Sequence, residues 1–150
     1  MKALGQAKVL DEVQGRLGRL RPESIRVWGK MSPQEMVCHL ADSFELALGE
    51  RTNPQIRLPL PPGVIMVLAL RVPLRWGRNI PTAPVVKQGV GGSLPKSWNE
   101  DMERLQKKLK AFCEKRGEWP EHPFFRSMET RDWLRWGYLH MDHHLRQFGC

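Results

Sequence analysis

A chain of 150 residues, 41% hydrophobic and 27% charged, has the length and composition of one globular domain; it excludes a disordered chain and leaves too little for two ordinary domains. The formal charge of +8 raises nucleic-acid binding, but the 24 Lys and Arg residues are scattered among acidic and apolar neighbours without a reader motif, so a solvated surface is the better reading. Cys38, Cys113 and Cys150 are odd in number and far apart, which suggests neither a disulfide framework nor a thiolate zinc site and points to a reducing cytosol.

The amino-terminal stretch lacks the apolar run of a secretory signal. Residues 5–20 then place Val9, Val13, Leu17 and Leu20 at three- and four-residue spacing, with Asp11, Glu12, Arg16 and Arg19 between them, and this predicts an amphipathic helix weakened by Gly15 and Gly18. Arg21-Pro22 closes it, because the residue before proline avoids the helical region. A second helix has the firmest start in the chain: Ser32 as N-cap, Pro33 as first helical residue, Glu35 as reciprocal partner of a capping box. It runs to Leu48 and stops at Gly49, with Met36, Leu40, Phe44 and Ala47 inward and His39 reaching the core from the flank. Cys38 lies about 100° further round the helix, so it is read as a small apolar residue and not as a partner of His39.

Eight of the twelve prolines fall between Arg51 and Pro95, namely Pro54, Pro59, Pro61, Pro62, Pro73, Pro81, Pro84 and Pro95. No long regular element survives that density. Residues 63–72 are apolar enough for one short helix, and residues 82–92 read as extended loop. A connection of this length in a small domain is a lid, a crossover or the wall of a site. Ser97-Trp98-Asn99-Glu100 repeats the capping-box pattern and opens a helix with Met102, Leu105, Leu109 and Phe112 inward and Lys107, Lys108 and Lys110 on a solvated face. After Gly117 a loop carries His122 between prolines, where a surface histidine is the expectation. Thr130 or Ser127 caps the final helix, with Asp132 in its first turn.

That final helix holds the chemistry. At roughly 100° per residue, Trp133, Gly137, His140, Met141, His144 and Phe148 share one arc, while Arg135, Asp142 and Arg146 lie opposite. His140 and His144, at i and i+4, therefore point into a core with their Cβ atoms about 5–6 Å apart, a spacing at which two imidazoles can serve one metal or simply be buried polar residues. His143 lies at the flank with Trp136 and Gln147. Four amphipathic helices make an all-α four-helix bundle, a single domain over residues 1–150, the expected fold. In such a core His39, His140 and His144 would supply three nitrogen ligands and leave one coordination position open, the pattern of a catalytic metal site.

The early Cys38-His39-Leu40-Ala41 and the terminal His140-x-x-His143-His144-x-x-Gln147 resemble the DinB-like superfamily of metal-binding four-helix bundles. The phrases Trp28-Gly-Lys-Met-Ser-Pro-Gln-Glu-Met36, Pro61-Pro-Gly-Val-Ile-Met66 and His122-Pro-Phe-Phe125, with Trp136 to Gly149, resemble an uncharacterised, mainly bacterial branch of it, over nearly the whole chain. The resemblance implies an up-down-down-up helix order with the proline-rich crossover between the second and third long helices. It also implies His39, His140 and His144 as ligands of a divalent ion such as zinc, nickel or iron. Some relatives in that superfamily use a low-molecular-weight thiol as transferases or isomerases; others are known only as metal binders.

A ligating imidazole commonly donates its other N–H to a carbonyl, amide or carboxylate. Gln147 and His143 are the preferred residues for that role, ahead of Glu35 and Asp42, the latter expected to face solvent. Trp133, Trp136 and Tyr138 either wall a pocket or are plain core. Two readings stand on the sequence: a divalent-metal-dependent transferase, isomerase or hydrolase acting on a small molecule, and a catalytically inert helical module that binds a partner. Neither calls for nucleic acid or a membrane, and a bundle of this size can form a homodimer through an exposed apolar face.

Overall fold

The computed structural model describes residues 1–52, 54–73, 75–78, 80 and 82–150. Among these residues the chain is all-helical, with five α-helices and no strand. The helices are α1 (Ala7–Leu17), α2 (Pro33–Leu48), α3 (Pro62–Leu70), α4 (Trp98–Glu114) and α5 (Thr130–Leu145), with 3-10 turns at Pro84–Val86 and Arg146–Phe148. Of the proline-rich stretch, Pro81 lies outside the described residues.

The helix ends follow the local chemistry in most places. Ser32 Oγ accepts from the Glu35 amide at 3.2 Å and Glu35 Oε2 accepts from the Ser32 amide at 2.7 Å, so two otherwise unpaired donors at the start of α2 are satisfied at once. Gly49 ends α2 with φ of 83°, a left-handed conformation that costs glycine nothing. At α4 the exchange is only half made through the backbone. Ser97 Oγ accepts from the Glu100 amide at 3.4 Å, while the Glu100 carboxylate takes its bond from the Ser97 hydroxyl at 2.5 Å. The cap of α5 departs from expectation. Glu129 occupies the N-cap without a side-chain bond, and Thr130 Oγ1 instead accepts from Trp119 Nε1 at 3.0 Å. Helix α1 is shorter than residues 5–20: from Gly18, a residue that costs a helix interior about 1 kcal/mol relative to alanine, the bonds tighten to the Arg19 amide on the Arg16 carbonyl and the Leu20 amide on the Leu17 carbonyl.

Helix α2 packs most extensively on α4, and α5 touches α1, α2 and α3. The junction is made by Met36, Leu40, Phe44 and Ala47 of α2, Leu105, Leu109 and Phe112 of α4, and Trp133 and Met141 of α5, all fully or almost fully buried. Each large side chain so buried contributes about 1.5–3 kcal/mol. Gly137 lets α5 approach closely: a Cβ there would lie 2.7 Å from Phe112 and 2.8 Å from Leu4.

Asp42 is not solvent-facing. It is completely buried, and its carboxylate accepts from Arg51 at 2.7 Å, from Arg104, from Gln88 Nε2 at 3.2 Å, and from both the amide and the hydroxyl of Ser93 at 2.7 Å. A charge can leave water only when its lone pairs are filled in this way. Here the charge fastens residues 88–93 and Arg51 onto α2. No helix among the described residues is long and apolar enough to cross a membrane.

Candidate metal centre

His39 comes from the middle of α2, and His140 and His144 from successive turns of α5. The contact between the two helices brings their imidazoles together. His39 Nε2 lies 3.1 Å from His140 Nε2, and His144 Nε2 lies 3.1 Å from the same atom. All three residues are buried, and one nitrogen from each lies within 4.8 Å of the others, a cluster that could hold a metal ion.

The other ring nitrogens reveal the tautomers. His39 Nδ1 lies 2.8 Å from the carbonyl oxygen of Val86, which can only accept, so Nδ1 carries the proton and Nε2 presents a lone pair. His144 Nδ1 likewise meets Gln147 Oε1 at 3.1 Å. His140 Nδ1 is buried without a partner. Either tautomer of His140 leaves the metal-free trio short of bonds. With its proton on Nε2, it satisfies only one of two facing lone pairs and strands its own Nδ1; with its proton on Nδ1, three lone pairs face one another.

A cation at the centre removes that conflict. Tetrahedral nitrogen ligands at about 2.0–2.1 Å from zinc stand about 3.3–3.4 Å apart, close to the observed spacing. Electrostatics agree. Burial pushes the pKa of His39 down against the opposing Val86 and Asp42 interactions, and burial followed by the neighbouring histidines pushes His140 and His144 well down. All three are therefore neutral at neutral pH, the form of imidazole that binds metals.

Gln147 and His143, the two residues favoured for holding the ligands, are placed differently. Gln147 bonds His144 directly, and its backbone carbonyl accepts from the Val27 amide at 2.6 Å. Gly29, at φ of 93°, brings its backbone close to the Gln147 amide, where a Cβ would lie 3.2 Å from Nε2. His143 packs edge-on against Trp28 at 4.9 Å and against His144 at 5.1 Å, with its Nδ1 buried and unbonded. Glu35 is committed to the α2 cap and Asp42 to its arginines. Val86, which orients His39, has no counterpart in the sequence reading: a backbone carbonyl in a proline-broken segment leaves no mark in residue type or spacing.

His122 was expected at the surface and is instead buried. Its ring stacks on Phe125 at 4.3 Å, and Nδ1 accepts from the Phe124 and Phe125 amides at 3.2 and 3.3 Å. Burial pushes its pKa down to about 3. The turn closes through paired backbone bonds between His122 and Arg126, which tucks the ring inward.

The histidine trio opens on a cleft of about 750 Å³. Trp136, 4.9 Å from the His140 ring, and Trp76, 6.3 Å from it, form part of its wall. Trp133 does not reach the cleft but stacks on Trp119 in the core, and Tyr138 faces Lys2 and Arg135. Trp28, Phe124 and the α3 residues Ile65, Leu68 and Ala69 complete much of the wall. These are residues that helical periodicity alone does not assemble.

No curated protein matches the chain, and no solved structure matches it. Over residues 5–149 the sequence fits a family of proteins of unknown function, DUF1569, and the chain belongs to that family.

Proposed function

We propose that the protein is a divalent-metal-dependent enzyme acting on a small molecule. His39, His140 and His144 would hold the ion through Nε2, and one coordination position would remain open toward the cleft. The observation that carries this reading is the convergence of three neutral imidazole nitrogens, those of His39 and His144 each 3.1 Å from that of His140, on a point their own protons cannot satisfy. A zinc, nickel or iron ion in such a set supplies Lewis acidity, polarising a substrate oxygen or lowering the pKa of a bound water or thiol.

The rest of the chemistry belongs to the chain. Val86 and Gln147 hold two of the rings in one tautomer and one orientation, the support that ligating histidines ordinarily receive. Trp76 and Trp136 shield the nitrogens from bulk water, which strengthens electrostatic interactions at the site. A low-molecular-weight thiol transferase or isomerase and a hydrolase both fit this arrangement. The fold belonging to this reading is the DinB-like bundle, with α1, α2, α4 and α5 in up-down-down-up order and α3 in the crossover. The packing of α2 on α4 and of α5 on α1 supports it.

The test is metal content by plasma mass spectrometry on untagged protein, with wild type, His39→Ala, His140→Ala and His144→Ala in parallel. About one divalent ion per chain in the wild type, lost in each variant while the helical circular-dichroism signal persists, is the expected result. A wild type that takes up no zinc, nickel or iron(II) would leave the helical binding module as the surviving reading.

A further inference from the structure

The cleft over the histidines has an uneven chemistry. Its floor holds His39, His140 and His144, and its walls are indole, phenyl and aliphatic surface. Four of its lining residues, Leu58, Leu60, Leu68 and Ile80, are 42–55% exposed, so the apolar lining continues out to the opening. Large apolar side chains clustered at one opening mark a place where apolar surface is meant to be covered.

The charges are just as uneven. The chain carries 16 Asp and Glu residues, yet none lines the cleft, whereas Lys30 and Arg75 do. Both are exposed, which sets them at the opening, and among the described residues neither forms an ion pair with a carboxylate. A third cation, Arg78, stands 5.6 Å from the ring centroid of the wall residue Trp28. Arg51 and Arg104, by contrast, are half-buried and paired with Asp42 and Glu45 away from the cleft, and exposed arginines such as Arg19 and Arg26 that also lack an ion pair among the described residues do not line it. A low-dielectric cleft bounded by unpaired cations focuses a positive potential at its mouth.

We infer that this cleft takes a small molecule with an apolar or aromatic body and one anionic group, the body lying along the Trp28, Trp76 and α3 walls and the anion against Lys30 and Arg75. This deepens the proposed function and rests on it for which end of the ligand meets the histidines; the recognition rests on the cleft alone. A cavity of about 750 Å³ is within the range of pockets that enclose a ligand of drug size. A polar, multiply charged sugar or nucleotide would leave most of its hydrogen-bonding groups facing hydrocarbon.

The test uses two fluorescent probes that differ by one charge: 8-anilinonaphthalene-1-sulfonate and N-phenyl-1-naphthylamine, the same ring system without the sulfonate. They are titrated into the purified full chain as isolated, after metal stripping, and after zinc loading, with metal content measured alongside. The expected result is saturable binding of one sulfonate probe per chain, weakened about tenfold in Lys30→Gln/Arg75→Gln while the neutral probe binds that variant as it binds the wild type. Lys107→Gln/Lys110→Gln, which removes as much charge from the exposed face of α4, is expected to bind both probes normally. Undiminished sulfonate binding in the cleft variant, equal loss of both probes, equal weakening in the α4 variant, or no saturable binding to any form would each overturn the inference. Charge-selective binding to a protein that takes up no metal would uphold it while sinking the metal reading; metal uptake without charge-selective binding would do the reverse.

Discussion

His39 and His140 stand 101 residues apart in the chain, yet their Nε2 atoms are 3.1 Å apart, with no proton arrangement that satisfies both rings and His144 together. The folded protein thus holds a preformed nitrogen cluster that the unfolded chain lacks. An ion bound there stabilises only the folded state, by about 4 kcal/mol at a thousandfold excess over its dissociation constant. Zinc added to metal-stripped protein is expected to raise Tm by several degrees, and His140→Ala to abolish that rise. Calorimetric scans with and without zinc make the comparison, and an unchanged wild-type Tm at saturating zinc would count against the site.

Gly29 and Gln147 make a second, indirect test. Gly29→Ala adds a Cβ 3.2 Å from Gln147 Nε2 at a backbone φ of 93° that alanine resists, so the strained backbone or the amide must give way by a few tenths of an ångström, which disturbs the bond to His144. Loss of a partner that orients a ligating histidine lowers metal affinity about 10–100-fold. Gly29→Ala and Gln147→Leu are both expected to fall in that range, measured by competition with a zinc indicator. Wild-type affinity in Gln147→Leu would show that its bond to His144 has no orienting role.

Asp42 ties Ser93, Gln88, Arg51 and Arg104 to α2, and the segment so fastened continues directly from Val86, the residue that orients His39. Removing one partner of a buried ionic network leaves uncompensated charge and costs about 3–5 kcal/mol. Asp42→Ala is expected to lose stability in that range in urea unfolding. It should also bind metal more weakly than the wild type under conditions where both are folded, because Val86 is freed. A loss below about 1 kcal/mol, the range of surface pairs, would mean that the network is not buried in solution.

His122 gives the chain an acid sensitivity of known sign. Its folded pKa is held near 3 by burial, against about 6.5 when unfolded. Above about pH 6.5 neither state is protonated and its contribution is whole. As pH falls from there toward 3, only the unfolded state binds the proton, and stability declines by up to about 1.4 kcal/mol per pH unit. Replacing His122 by Gln is expected to lower stability at pH 7 but to remove about one proton's worth of slope between pH 6 and 4. Urea midpoints at pH 7, 5.5 and 4 for both proteins decide it: parallel declines would place the protonation elsewhere.

What the sequence determined by itself was local and periodic. The box Ser32-Pro33-Glu35 and the stop at Gly49 bound α2 through backbone groups a few residues away. The 3.6-residue turn put His140 and His144 on one face of α5, whatever the rest of the chain does. Family membership over residues 5–149 is likewise a property of the sequence. Tertiary structure decided what depends on groups distant in the chain or carried by the backbone. Asp42 and His122 look like surface residues in a linear reading; one is buried because four partners from distant segments fill its lone pairs, the other because a tight turn stacks it on Phe125. The Val86 carbonyl and the cleft walls arise in the same way. Side-chain type and spacing encode the direction of a residue on its own helix, whereas desolvation and hydrogen-bond satisfaction are set by whichever segments the fold packs around it.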